Sequence, residues 1–121
     1  FALTRPTIDL DWPLAAPLTF VLPVLVYPVL EEIVFRGALQ GALRRTAVAK
    51  FNFGLLSGPN VLTNLFFAGL HAGLYQHWLA GAVFIPGLIF GFFRDRTGQL
   101  AAPITLHVFY NAGFFWLFMA P

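Results

Sequence analysis

Charged residues cut this chain into long apolar stretches. Nineteen uncharged residues lie between Asp11 and Glu31, forty-three between Lys50 and Arg94, and twenty-five from Thr97 to Pro121. About 20 apolar residues cross a bilayer as a helix, so the middle stretch has room for two crossings and each of the others for one. The pattern predicts an all-α fold: a polytopic membrane helical bundle with about four transmembrane segments, forming a single domain over residues 1–121. A polar lead-in covers Phe1 to Pro13. The first segment runs from Leu14 to Arg44, with Pro17, Pro23 and Pro28 kinking its early part. Breakers at Asn52, Gly54, Ser57, Gly58 and Pro59 make residues 45–59 a loop. The second segment starts at Asn60 or Val61, passes His71 and ends between Gly73 and His77. The third spans Trp78 to Phe93. Arg94 to Gly98 reads as a polar turn, and the fourth segment spans Leu100 to Met119.

Composition narrows the class. Hydrophobic residues make up 59% of the chain and charged residues 10%, against roughly a quarter charged in soluble domains. Mean hydropathy is +0.77. A water-soluble domain of this size has no room to hide so much apolar surface. Disorder is excluded as well, since 17% of the residues are aromatic. The net charge of +2 does not point to nucleic acid, because the few basic residues sit at segment ends. Membrane lipid is the expected partner. With no cysteine, disulfides, thiolate nucleophiles and thiolate metal sites are ruled out. No basic n-region with a following cleavage site opens the chain, so a cleavable signal peptide is not expected. Arg44, Arg45 and Lys50 follow the first segment, and Arg94 and Arg96 follow the third. A four-pass topology places both groups on one side, which the positive-inside bias makes cytoplasmic. Arg5 is the exception and is offset by Asp9 and Asp11.

Ionisable groups at membrane depth are costly and by default face the bundle interior and one another. This chain has Glu31, Glu32 and Arg36 in the first segment, His71 in the second and His107 in the fourth, with amides at Asn64 and Asn111. A rise of about 1.5 Å per residue puts Glu31 roughly 20 Å, Arg36 roughly 12 Å, His71 roughly 15 Å and His107 roughly 14 Å from the basic side. Three segments thus place ionisable groups in one slab of the membrane. Glu32 and Arg36 share a helix face, as do Phe67 and His71, and His107 and Asn111. Glu31 points about 100° away from Glu32, so one carboxylate can pair with Arg36 while the other faces a cavity.

A carboxylate beside an imidazole can hold and deprotonate water. An imidazole and an amide on one helix face can donate to a developing oxyanion. Glutamate, two histidines and asparagine therefore suffice for water attack on a peptide carbonyl. The Glu31, His71 and His107 set could equally hold zinc, which would also activate water. No HExxH motif occurs. The single serine, Ser57, falls in a loop outside the membrane, and Asp9, Asp11 and Asp95 lie near segment ends. His77, beside Trp78, reads as an interfacial residue, and Phe67 as packing. Asn64, on nearly the same face as His71, can orient a site group or pack helices.

The motifs Glu31-Glu32-Ile33-Val34-Phe35-Arg36-Gly37 (EExxxRG), Phe67-Ala68-Gly69-Leu70-His71 (FxxxH) and His107-Val108-Phe109-Tyr110-Asn111 (HxxxN) occur in this order on separate apolar segments. Together they resemble the CPBP family of intramembrane proteases, the CAAX-protease and bacteriocin-processing group also called the Abi family. The resemblance implies an endopeptidase in a bacterial or archaeal cell membrane, acting on a membrane-associated protein or peptide. It assigns water activation to Glu31 and His71, oxyanion stabilisation to His107 and Asn111, and support of the site to Glu32 and Arg36. Both a zinc-dependent and a metal-free glutamate mechanism are compatible with it. The alternatives are a non-catalytic membrane self-immunity or interaction protein of the same family, or an ion or proton conduit using the same carboxylates.

Overall fold

The structure, a computed structural model, describes residues 8–121. Arg5 and the start of the expected polar lead-in lie outside the described residues. Four long helices follow a short helical turn at Trp12–Ala15. Helix α1 spans Pro17–Leu43, α2 Gly58–Tyr75, α3 Trp78–Thr97 and α4 Ala101–Phe118. α2 packs on α3, α3 on α4, and α1 on both α4 and α2, so the four helices close into a ring.

α1 and α3 are long and apolar enough to cross a membrane. α2 and α4 are shorter, at 18 residues each, and carry the asparagines and histidines of the motifs. The expected prolines do not break α1. They make its early part irregular by widening it: Leu22–Val26 is π-helical, and a second π-helical stretch follows at Ile33–Leu39, directly after the paired glutamates. Such stretches are rare and concentrate at functional sites.

The other boundaries shift for local reasons. α2 starts at Gly58 rather than Asn60, because Pro59 sits in its first turn, where a missing N–H costs nothing. The Ser57 hydroxyl caps it by accepting from the Asn60 N–H at 3.1 Å. α3 runs through Thr97, so the polar turn expected over Arg94 to Gly98 is the helix's last turn. It stops at Gly98, whose φ of +67° is left-handed. The expected loop over 45–59 holds a 3-10 turn at Ala47–Lys50 and a two-stranded hairpin pairing Asn52 with Ser57 and Phe53 with Leu56. Two indoles tie the chain ends together. Trp12 Nε1 donates to the Trp116 carbonyl at 3.0 Å, and Trp116 Nε1 donates to the Leu10 carbonyl at 2.8 Å.

The interior is inverted relative to a water-soluble protein. Glu32, Arg36, Gln40, Asn60, Thr63 and Asn64 are fully buried, while Leu14 is 84% and Phe109 79% exposed. Apolar side chains gain nothing by leaving a lipid solvent. Polar groups have nowhere else to find hydrogen-bond partners.

Candidate active site

The site forms where α1, α2 and α4 meet. Glu32 is sealed at its centre. Its Oε1 accepts from Arg36 Nη1 at 3.2 Å and from His107 Nδ1 at 2.7 Å. A carboxylate paired with an arginine only accepts, so the network assigns the His107 ring proton to Nδ1. The other nitrogen, Nε2, then faces Glu31, with Oε2 3.7 Å away. Phe90 stacks on the His107 ring (centroids 4.7 Å apart, planes at 22°) and Phe67 meets it edge-on at 6.1 Å. Ring orientation is thus fixed on three sides.

Arg36 is held as firmly. Its Nη2 donates to Asn64 Oδ1 at 2.7 Å and to the Gly87 carbonyl at 2.8 Å. Its guanidinium lies 4.8 Å from the centre of the Phe67 ring and 5.6 Å from that of Phe90. Planar geometry and two aromatic neighbours suit arginine and not lysine.

Glu31, one residue before Glu32, has the opposite environment. Its side chain is 30% exposed and lies within electrostatic reach of both His107 and His71. His71 has its Nδ1 2.9 Å from the Phe67 carbonyl, one turn back on α2. A carbonyl only accepts, so Nδ1 carries the proton and Nε2 offers a lone pair. The His71 ring rests on Phe67 at 4.3 Å. Phe67 therefore contacts both histidines and Arg36, the packing role expected of it.

Asn111 shares its α4 face with His107, and its hydrogen bond runs to α1. Nδ2 donates to the Pro23 carbonyl at 2.9 Å. Five residues after Pro23, Pro28 has no N–H to offer that carbonyl in the widened helix. Asn111 supplies the missing donor and keeps its second amide hydrogen. His77 stays apart from the site. It caps α3, with Nδ1 accepting from the Leu79 N–H at 3.1 Å.

Glu31, His71 and His107 have the donor chemistry of a zinc site. Among the described residues, however, no group of three or more His, Asp or Glu side chains could hold a metal ion.

Several participants escaped the sequence analysis. Gln40 is fully buried and joins α1 to α3, with Nε2 donating to the Gly91 carbonyl at 3.1 Å and to Asp95 Oδ1 at 2.9 Å. Asp95 also accepts from the Ser57 hydroxyl at 2.5 Å. Asn60 receives two hydrogen bonds from Asn64 Nδ2, at its carbonyl and at Oδ1. The signal for Gln40 was its spacing, four residues after Arg36 and eight after Glu32. Phe90, the stacking partner of His107, also lines an apolar groove of about 620 Å³ between α3 and α4, together with Tyr110 and Leu106.

Comparison with known proteins places these residues in a wider context. A family model described as type II CAAX prenyl endopeptidase, Rce1-like, matches residues 13–113 and so covers all three motifs. A Bacillus subtilis (strain 168) protein named "Putative membrane peptidase YdiL" is 34% identical over 97 residues, 80% of this chain and 36% of that protein. The chain thus spans about a third of the length of this relative. No solved structure matches the chain.

Proposed function

The chain belongs to the Rce1-like family of type II CAAX prenyl endopeptidases, and from that membership and the buried polar site we propose that it is an intramembrane endopeptidase cleaving a membrane-associated protein or peptide. Glu31 is the general base, with His71 as its partner. A water held between the Glu31 carboxylate and the His71 Nε2 lone pair loses a proton to Glu31 as its oxygen attacks the scissile carbonyl. The carbonyl oxygen becomes an oxyanion facing the second amide hydrogen of Asn111 and the outer nitrogen of His107, which enters the step as the imidazolium, Nδ1–H on Glu32 and Nε2–H on the oxygen, and leaves it with both protons. Glu32, anchored by Arg36, stabilises that imidazolium from the Nδ1 side. When the C–N bond breaks, the proton on Glu31 passes to the leaving amine, and the acid and amine products separate.

The observation that carries this reading is the contrast between the two glutamates. Glu32 is fully buried, its Oε1 bound by both Arg36 and His107, whereas Glu31 is 30% exposed and faces the outer nitrogen of His107. An ion pair serving only the fold needs one carboxylate, and a second at membrane depth is costly. The apolar groove between α3 and α4 is lined by Phe90, the ring that stacks on His107, which supports an apolar, membrane-embedded substrate.

The test is cleavage of a lipid-anchored fluorogenic peptide by the chain reconstituted in liposomes. Glu31→Gln should lower the rate by on the order of 10³, within the range that general-base removal produces, with the helical circular-dichroism spectrum unchanged. Full cleavage by Glu31→Gln contradicts the assignment. A wild-type chain that binds the peptide and leaves it intact supports the non-catalytic interaction protein instead.

A further inference from the structure

α2 and α3 build a polar shelf beneath the site that the proposed reaction does not itself use. Asn64 and Asn60 lie one turn apart on α2 and are both fully buried. Asn60 Nδ2 donates to the Leu88 carbonyl at 3.0 Å, and Asn64 donates back to Asn60, so each amide fixes the orientation of the other. With its N–H hydrogens committed to Asn60, Asn64 can only present Oδ1 to Arg36, at 2.7 Å. The opposite face of the shelf is α3, which approaches this closely because Gly87 and Gly91 have no side chains. A Cβ at Gly87 would overlap Asn64 Oδ1 and come within 3.0 Å of Arg36 Nη2, and one at Gly91 would overlap Asn60 Oδ1. The bare Gly87 carbonyl is the second acceptor for Arg36.

We propose that Asn64, braced by Asn60 and seated against Gly87, is a positioning residue for His107, acting through Arg36 and Glu32. This inference rests on the reading of His107 as an oxyanion donor. A single oxygen of Glu32 takes both the Arg36 and the His107 bonds. The location of the guanidinium therefore sets where that oxygen stands, and with it the tilt of His107 and the aim of its Nε2. A helix-packing asparagine has no need to aim an oxygen at the arginine of the site. Nor does helix packing require a glycine carbonyl to face that arginine at the same level.

The experiment pairs cleavage kinetics with the ¹⁵N spectrum of His107 in the histidine-labelled full chain, its signals identified by their loss in His107→Gln. Asn64→Leu keeps the volume and removes the acceptor. Gly87→Ala leaves Asn64 chemically intact and displaces it. Both should lower kcat by 30- to 100-fold with KM within twofold. Both should also shift and broaden the His107 signals as its Nδ1–H···Glu32 bond loosens. Gly69→Ala, on the same helix with nothing within 4 Å of its added Cβ, should match wild type in both readouts. If Asn64→Leu does not accumulate as folded protein, Asn64→Ala, which leaves room and adds no clash, has the same expected outcome. An unchanged His107 spectrum in the Asn64 and Gly87 variants overturns the proposal, whether or not the chain cleaves peptide. Altered His107 spectra in a wild-type background that never cleaves would sustain the positioning role and remove the protease reading.

Discussion

Two neighbouring residues on one helix have opposite environments. Glu32 lies in a buried knot: its Oε1 accepts from Arg36 and His107, and Arg36 is tied in turn to Asn64 and the Gly87 carbonyl, while Glu32 Oε2 and Arg36 Nε have no hydrogen-bond partner. Glu31, a hundred degrees around α1, lies on a rim with Glu31 Oε2 facing His107 Nε2 and His71 beyond Phe67. Knot residues are buried and tied to one another, and Glu31 at the rim is open to an added molecule. Chemistry on an added molecule belongs to the rim, and the knot keeps the rim's donors aligned. If that division is correct, substitutions that break the knot should cost stability and reach turnover only through the alignment of His107, whereas substitutions at the rim should change turnover alone.

The strongest test of the division is Arg36→Leu. It leaves the Glu32 carboxylate buried beside one imidazole, and removal of one partner from a buried pair costs about 3–5 kcal/mol. Unfolding in detergent should shift by that amount or the variant should fail to accumulate; wild-type stability would break the comparison at the knot. At the rim, His71→Ala should lower turnover by on the order of 10³, as expected for loss of an acid–base partner. Its unfolding midpoint should stay near wild type, because the ring's polar tie is one contact to the Phe67 carbonyl. Asn111→Ala straddles the boundary. Losing an oxyanion donor costs about 10²–10³ in rate, and releasing the Pro23 carbonyl costs about 1–3 kcal/mol in stability. Observing only one of these effects would assign Asn111 wholly to the fold or wholly to the reaction. His77→Ala, outside both regions, should leave turnover unchanged and cost under about 1 kcal/mol as a lost helix cap.

Much of this architecture was legible before any coordinates. Charge-free stretches mark the helices because lipid admits little else, and ionisable residues at membrane depth single themselves out for the same reason. Glu31, Glu32, Arg36 and His107 converge as that logic requires. Less legible were features set by local backbone satisfaction. Nothing in the residue pattern announces that α1 widens at Leu22–Val26 and Ile33–Leu39, or that Asn111 answers for the missing N–H of Pro28. The end of α3 was misplaced because Arg94, Asp95 and Arg96 resemble a turn by charge. In the fold Asp95 is anchored by Gln40 and Ser57, and Arg94 Nε reaches the Arg36 carbonyl at 3.3 Å, so charges sit within a helical turn. Asn60 and Gln40 went unnoticed because a neutral amide in an apolar run has several uses, and only its partners show which one applies.

The most direct measurement is a two-by-two comparison of Glu31→Gln and Glu32→Gln, reading peptide turnover and unfolding midpoint on each. The account predicts a split in stability: both variants lose turnover, Glu31→Gln keeps its midpoint, and Glu32→Gln lowers it as the Arg36 and His107 bonds weaken. Equal midpoints in the two variants, or turnover that survives at Glu31→Gln, contradicts it.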